Sequence, residues 1–178
     1  MSRLSMIQPA DATGAAAELF GNIKKAAGKV PNAYATIGSH SPDALASMLV
    51  TEATIAKGSL SKSDIEAIKL AVSEAVGCDY CLAAHTLMGK LAGLTPEAMK
   101  QIRANASTGD AKRDALVHFV HQLVTTRGTL PAAALQALRT AGYSERQVIE
   151  IALVISSITF TNLVNRINDT TLDFPAIA

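Results

Sequence analysis

A chain of 178 residues, 49% hydrophobic and 17% charged, is long enough to bury a core of its own, and a single domain over 1–178 is expected. Sixteen basic residues against fifteen acidic ones leave a formal net charge of +1, which excludes the basic footprint that nucleic acid or an anionic membrane surface calls for. Aromatics make up only 4% and Trp is absent, so stacking platforms for single strands are missing too.

The N-terminus, Met1 to Pro9, has no continuous apolar run and meets proline early, so no secretory signal is read there and a cytoplasmic location is expected. A first helix is predicted near 12–27, stopped by Gly28. Ser41-Pro42 then opens a helix over 42–57, because a hydroxyl residue before a first-turn proline is N-terminal capping chemistry. Ser61-Lys62-Ser63-Asp64 and Ser63-Asp64-Ile65-Glu66 offer two overlapping caps for a helix over 62–76, and another follows Gly77 over 78–92. Thr95-Pro96 opens 96–104, a helix over 111–126 follows Gly109, and Thr129-Leu130-Pro131 opens 131–141. Ser144-Glu145-Arg146-Gln147 is a capping box by pattern and starts the last helix, 145–168. The fold class is therefore all-α, a compact bundle of about eight helices.

Two stretches need arbitration. Val148 to Ile155 is β-branched enough for a buried strand, but the capping box before it and the length of the pattern favour a helix, and no second strand exists to pair with. The most apolar run, Val148 to Phe160, is interrupted by Glu150 and falls short of the ~20 residues that span a bilayer, so no membrane partner is expected. A faint repeat also lays Ile65–His85 on Ile149–Asp169, with Cys78 on Asn162, Cys81 on Asn165 and His85 on Asp169. Two apolar helices can always be aligned somewhere, so a duplicated helical unit and a chance match both stand.

The chemistry concentrates in Gly77-Cys78-Asp79-Tyr80-Cys81-Leu82-Ala83-Ala84-His85. On a helix starting near Cys78, Cys81 lies three residues on and His85 four beyond that, so both thiols and the imidazole share one stripe. A cysteine at a helix N-terminus is favoured as thiolate, and an imidazole one turn along can accept a proton. Two cysteines cannot build a staple framework, and in a reducing compartment a Cys-x-x-Cys pair points to redox catalysis or a metal. Glu66 lies twelve residues before Cys78, ~18 Å along an unbroken helix, and reaches the thiols only if Gly77 breaks the chain. Glu74 is nearer in sequence and reads equally well as a solvated charge.

These residues resemble the AhpD-like alkylhydroperoxidase branch of the carboxymuconolactone decarboxylase family. The pattern is Glu66, then Cys78, Cys81 and His85 within Cys-x-x-Cys-Leu-Ala-Ala-His-Thr. Pro31-Asn32 with His40-Ser41-Pro42, the stretch 141–150, and the stretches 160–169 and 172–175 look like its peroxidase-related subgroup. The resemblance implies an all-α homo-oligomer that needs no cofactor and reduces a small hydroperoxide. It implies a Glu66–His85 proton relay, and a Cys78–Cys81 pair cycling between dithiol and disulfide at the expense of a dithiol or protein disulfide reductant. One departure is Tyr80, where the best-studied AhpD-type members carry His; it bears on any second proton-transfer route. Decarboxylase members of the wider family lack the cysteine pair.

Which sulfur attacks peroxide stays open: His85 one turn away favours Cys81, with Cys78 resolving, while the helix terminus favours an acidic Cys78. Other readings of the motif are a zinc site completed by Glu66 or a distant His, a redox-sensing oligomeric binding protein without turnover, and a lactone-acting lyase using Glu66 and His85. His118 and His121 sit three apart on a predicted helix and read first as a half-buried packing face, and His40 as loop or cap. Asn162, Asn165, Arg166 and Asp169 form a polar stripe that either satisfies buried groups or lines the entrance to the thiols.

Overall fold

A computed structural model describes residues 2–175, among which the regular structure is nine α-helices and no strand. They are α1 (Gly14–Ala27), α2 (Asn32–His40), α3 (Pro42–Ala56), α4 (Lys62–Ala75), α5 (Asp79–Leu91), α6 (Pro96–Arg103), α7 (Ala111–Thr125), α8 (Ala132–Thr140) and α9 (Glu145–Asn168). The caps act as the sequence proposes at Ser41, Thr95 and Ser144, the last with the full capping box. Of the two overlapping caps before α4, Ser61 is the one used. Thr129 caps nothing: Pro131 itself stands at the N-cap of α8, where no side chain bonds the first turn.

The helix absent from the sequence reading is α2. Its N-cap is Pro31, which brings no side-chain acceptor, and Thr36, Ile37 and Gly38 weaken its intrinsic propensity. Packing decides it instead. A Cβ on Gly38 would stand 2.5 Å from the Phe20 ring and 2.8 Å from Leu45, so only glycine lets α2 approach α1 and α3 this closely. His40 ends this helix, its Nε2 2.7 Å from the Ser5 carbonyl.

Every residue of α4 from Ile65 to Ser73 is buried, which makes it the central helix, packed by α5, α6, α7 and α9. Its all-round burial explains why Glu66 and Lys69, nominally surface types, are inside. The helix α9 corrects two readings. It runs 24 residues and by length and composition could cross a membrane, because the apolar pattern continues beyond Phe160 to Asn168. It also spans 149–169 without a break, whereas 65–85 bends at Gly77, so the two segments are not copies of one helical unit.

Candidate active site

The chain leaves α4 through Gly77, whose φ of +64° is a left-handed turn that a side chain would strain. Cys78 N–H closes the end of α4 on the Ser73 carbonyl at 3.0 Å. Cys78 then stands at the N-cap of α5, its sulfur 3.4 Å from the Cys81 amide that it accepts. The two cysteines are joined as a disulfide with Cα atoms 5.3 Å apart, and each is 2% exposed.

The break does what the sequence requires of it. With α5 folded back on α4, His85 Nδ1–H donates to Glu66 Oε2 at 2.8 Å. The carboxylate thereby fixes the tautomer and leaves Nε2 as the free nitrogen. Both residues line a cavity of about 600 Å³ together with Cys81; its walls are largely apolar, including Met48, Leu87, Ile158 and Phe174. Glu74 lies elsewhere, paired with Arg103 at 2.6 Å.

A second, partly buried pair shares this cavity. Lys69 Nζ, one helical turn beyond Glu66, donates to Glu52 Oε2 at 2.7 Å, and Ser157 Oγ donates to the other Glu52 oxygen at 2.7 Å. Burial is the largest single influence on Glu52 and acts to raise it. The Lys69 charge, both hydrogen bonds and the nearby His85 together outweigh it and hold the carboxyl below its ordinary value. Tyr34, on the same wall, is pushed up to about 12 by burial and then by the Glu52 and Glu66 charges. Sequence reasoning missed Lys69, Glu52 and Tyr34. The available signal was a lysine three residues after Glu66 inside an otherwise apolar run.

Tyr80 reaches α2 and the C-terminal segment. Its hydroxyl accepts from Ala33 N–H at 3.1 Å and donates to Asp173 Oδ1 at 2.7 Å, and its ring meets Phe174 edge-on at 5.5 Å. Burial chiefly, with Asp173 adding to it, drives the phenol well above its ordinary range despite the Ala33 bond. It is a neutral fastener for the C-terminal segment, with its hydroxyl committed to Ala33 and Asp173.

The polar stripe of α9 reaches the disulfide. Asn165 Nδ2–H donates to Cys81 Sγ at 3.4 Å, and Asn162 Nδ2–H donates to Ser73 Oγ at 3.1 Å. Both amide oxygens are buried without a hydrogen-bond donor among the described residues. Beyond Asn165 lies a second, more polar hollow of about 370 Å³, lined by Cys78, Asp79, Arg166 and Thr170 among others. Of these two hollows Cys78 lines the polar one and Cys81 the apolar cavity, while Tyr80 and Asn165 border both. His118 is exposed and His121 half-buried on α7, outside both hollows. Among the described residues no three His, Cys, Asp or Glu side chains are grouped to hold a metal ion.

Residues 42–121 match the family model described as the carboxymuconolactone decarboxylase family. No curated protein matches the sequence. A peroxidase-related protein from Ralstonia eutropha JMP134 with an alkylhydroperoxidase AhpD core superposes with a TM-score of 0.84 at 21% identity, over 97% of this chain and 92% of that one. A peroxidase-related protein from Silicibacter sp. TM1040 gives 0.80 at 20% identity, over 96% and 91%. The debrominase Bmp8, solved as a cysteine-to-alanine variant with 2,3,4-tribromopyrrole, gives 0.81 at 22% identity, over 97% and 94%. At these identities the likeness establishes the AhpD-like fold.

Proposed function

We propose that the chain, whose residues 42–121 match the carboxymuconolactone decarboxylase family model, is a thiol-dependent peroxidase. The observation that carries the reading is the convergence of Cys81, His85 and Glu66 on one largely apolar cavity. With the pair reduced, His85 Nε2 takes the Cys81 proton and Glu66 steadies the imidazolium through Nδ1. The thiolate attacks the terminal oxygen of a hydroperoxide, the O–O bond breaks, and the proton returns from His85 to the departing alkoxide, giving an alcohol and a Cys81 sulfenic acid. Cys78 condenses with that acid, releasing water and forming the disulfide. A dithiol reductant restores the pair by exchange, so one hydroperoxide and one dithiol give alcohol, water and disulfide. Cys78 at the N-cap suits the resolving thiol, because the helix end favours its thiolate.

The decisive measurement traps the sulfenic acid in Cys78→Ser and in Cys81→Ser. Trapping in Cys78→Ser alone supports the assignment. Trapping only in Cys81→Ser reverses the two sulfurs, and trapping in neither sinks the peroxidase reading. The apolar residues that α9 leaves exposed, Ile149, Leu163 and Ile167, support a homo-oligomer, to be checked by sedimentation.

The size and apolar walls of the cavity also favour a second reading, reductive dehalogenation of an aromatic ring, as the debrominase name suggests for that relative in fold. The Cys81 thiolate would attack the halogen, His85 would protonate the ring carbon, and Cys78 would displace halide to form the same disulfide. Stoichiometric halide release from 2,3,4-tribromopyrrole by the reduced protein, without peroxide consumption, would favour it.

A further inference from the structure

We propose that Asn165 is a catalytic residue of both half-reactions, holding the Cys81 thiolate through its amide N–H when that sulfur attacks substrate and again when it leaves the disulfide. The inference rests on the thiol chemistry proposed above. Asn165 is 4% exposed and sits on α9, 84 residues from Cys81, yet its Nδ2 is the side-chain donor on that sulfur. A disulfide sulfur is a poor acceptor and a thiolate a strong one, so this contact strengthens when the pair is reduced. Burial of a whole amide to serve a weak acceptor, with its oxygen left without a donor, has no evident value to the oxidised fold. Asn165 itself lines the cavity, so the side chain that holds the nucleophile also stands beside the space that substrate would enter.

The second half-reaction follows from where the two sulfurs open. Thiol–disulfide exchange proceeds in line: the incoming thiolate approaches one sulfur from the side opposite the leaving one. Cys78 faces the polar hollow, so a polar thiol entering there attacks Cys78 Sγ and forms a mixed disulfide. The Cys78–Cys81 bond breaks and Cys81 departs as the thiolate that Asn165 stabilises, to be protonated by His85. A second thiol of the reductant then attacks the mixed disulfide, frees Cys78 and leaves as the oxidised reductant.

Asn162 is a built-in control: it is equally buried on the same helix, with the same unpaired oxygen, but it donates to Ser73 and touches no sulfur. Asn165→Ala and the near-isosteric Asn165→Asp are compared with Asn162→Ala, each with its thermal melt. In a Cys78→Ser background, the pH profile of Cys81 alkylation should move to higher pH in Asn165→Ala and further in Asn165→Asp. In the full dithiol protein, both disulfide formation by cumene hydroperoxide and disulfide reduction by 2-mercaptoethanol should slow about tenfold or more, the loss of one hydrogen bond to a charged group. Asn162→Ala should leave all three readouts in place. Unshifted alkylation in both Asn165 variants overturns the proposal, as does an equal shift in Asn162→Ala. Alkylation and reduction are measurable without peroxide. A protein inert to hydroperoxide, but with shifted alkylation and slowed reduction in the Asn165 variants, therefore disproves the peroxidase reading and leaves Asn165 in its thiolate role.

Discussion

Two acid–base pairs cross from α4 one helical turn apart, and both face the same cavity. Glu66 holds His85 of α5, and Lys69 holds Glu52 of α3, with nearly the same close contact of 2.8 and 2.7 Å. The first contains an imidazole, the side chain suited to pass a proton through its two nitrogens, and it leaves Nε2 free in a residue that lines the same cavity as Cys81. The second joins an ammonium to a carboxyl held below its ordinary value, with Ser157 closing the remaining carboxylate oxygen. One pair can move a proton, whereas the other fixes a field and a packing arrangement. Equal geometry thus carries unequal chemistry, and the difference lies in which group can change its charge.

The comparison breaks most sharply at His85. Under the proposed peroxidase chemistry, His85→Ala should lower steady-state peroxide consumption by ~10²-fold or more with little change in melting temperature, since general-base catalysis is lost from a partly open position. Glu66→Gln should give a smaller loss, about tenfold, because the amide still occupies the site but no longer balances an imidazolium. At Lys69 the order of effects inverts. Lys69→Met leaves the half-buried Glu52 carboxylate without its cation and should cost about 2 kcal/mol by denaturant unfolding, and Lys69→Met with Glu52→Leu should recover most of it. Peroxide consumption in that double variant within a fewfold of wild type would keep the two pairs distinct, and collapse to the His85→Ala level would merge them.

Acid sharpens the contrast. Glu52 is held below its ordinary 4.5 in the folded protein. Its stabilising contribution is therefore present above the unfolded value and lost as pH falls through the lowered folded one. Melting temperature measured downward from pH 5 should drop less steeply in Glu52→Gln than in wild type, and parallel curves would contradict the shift. The smallest effect is expected at Tyr80. Tyr80→Phe removes the bond to Asp173 and strips Ala33 N–H of its acceptor, costing about 1–2 kcal/mol by denaturant unfolding, while sulfenic acid formation at Cys81 proceeds as before.

Legibility in the sequence followed the range of the interaction. Ser41, Thr95 and Ser144 announce helix starts because a cap bonds an amide two or three residues away, and the capping box is wholly local. The helix α2 escaped notice because its reason to exist, the fit of Gly38 under Phe20 and Leu45, is made by other helices. The thiol–imidazole stripe was readable from helical spacing. Glu66 was readable as a partner of the motif, and Gly77 as the break that brings it there. Lys69 was visible as an oddity in an apolar run, but nothing local to it names Glu52. Asn165 stood out only as part of a polar stripe, with no sign of which atom it would meet.

The sequence by itself determined an all-helical chain, the Cys78–Cys81–His85 face and the bend at Gly77, because capping, helical spacing and glycine's left-handed turn act over a few residues. Only the tertiary structure decided that Cys81 faces an apolar cavity and Cys78 a polar hollow, and that Asn165 stands between them. Those facts depend on how α9, α3 and the C-terminal segment close around α4 and α5. That closure comes from burying surface between elements far apart in the chain, and no short stretch of sequence encodes it.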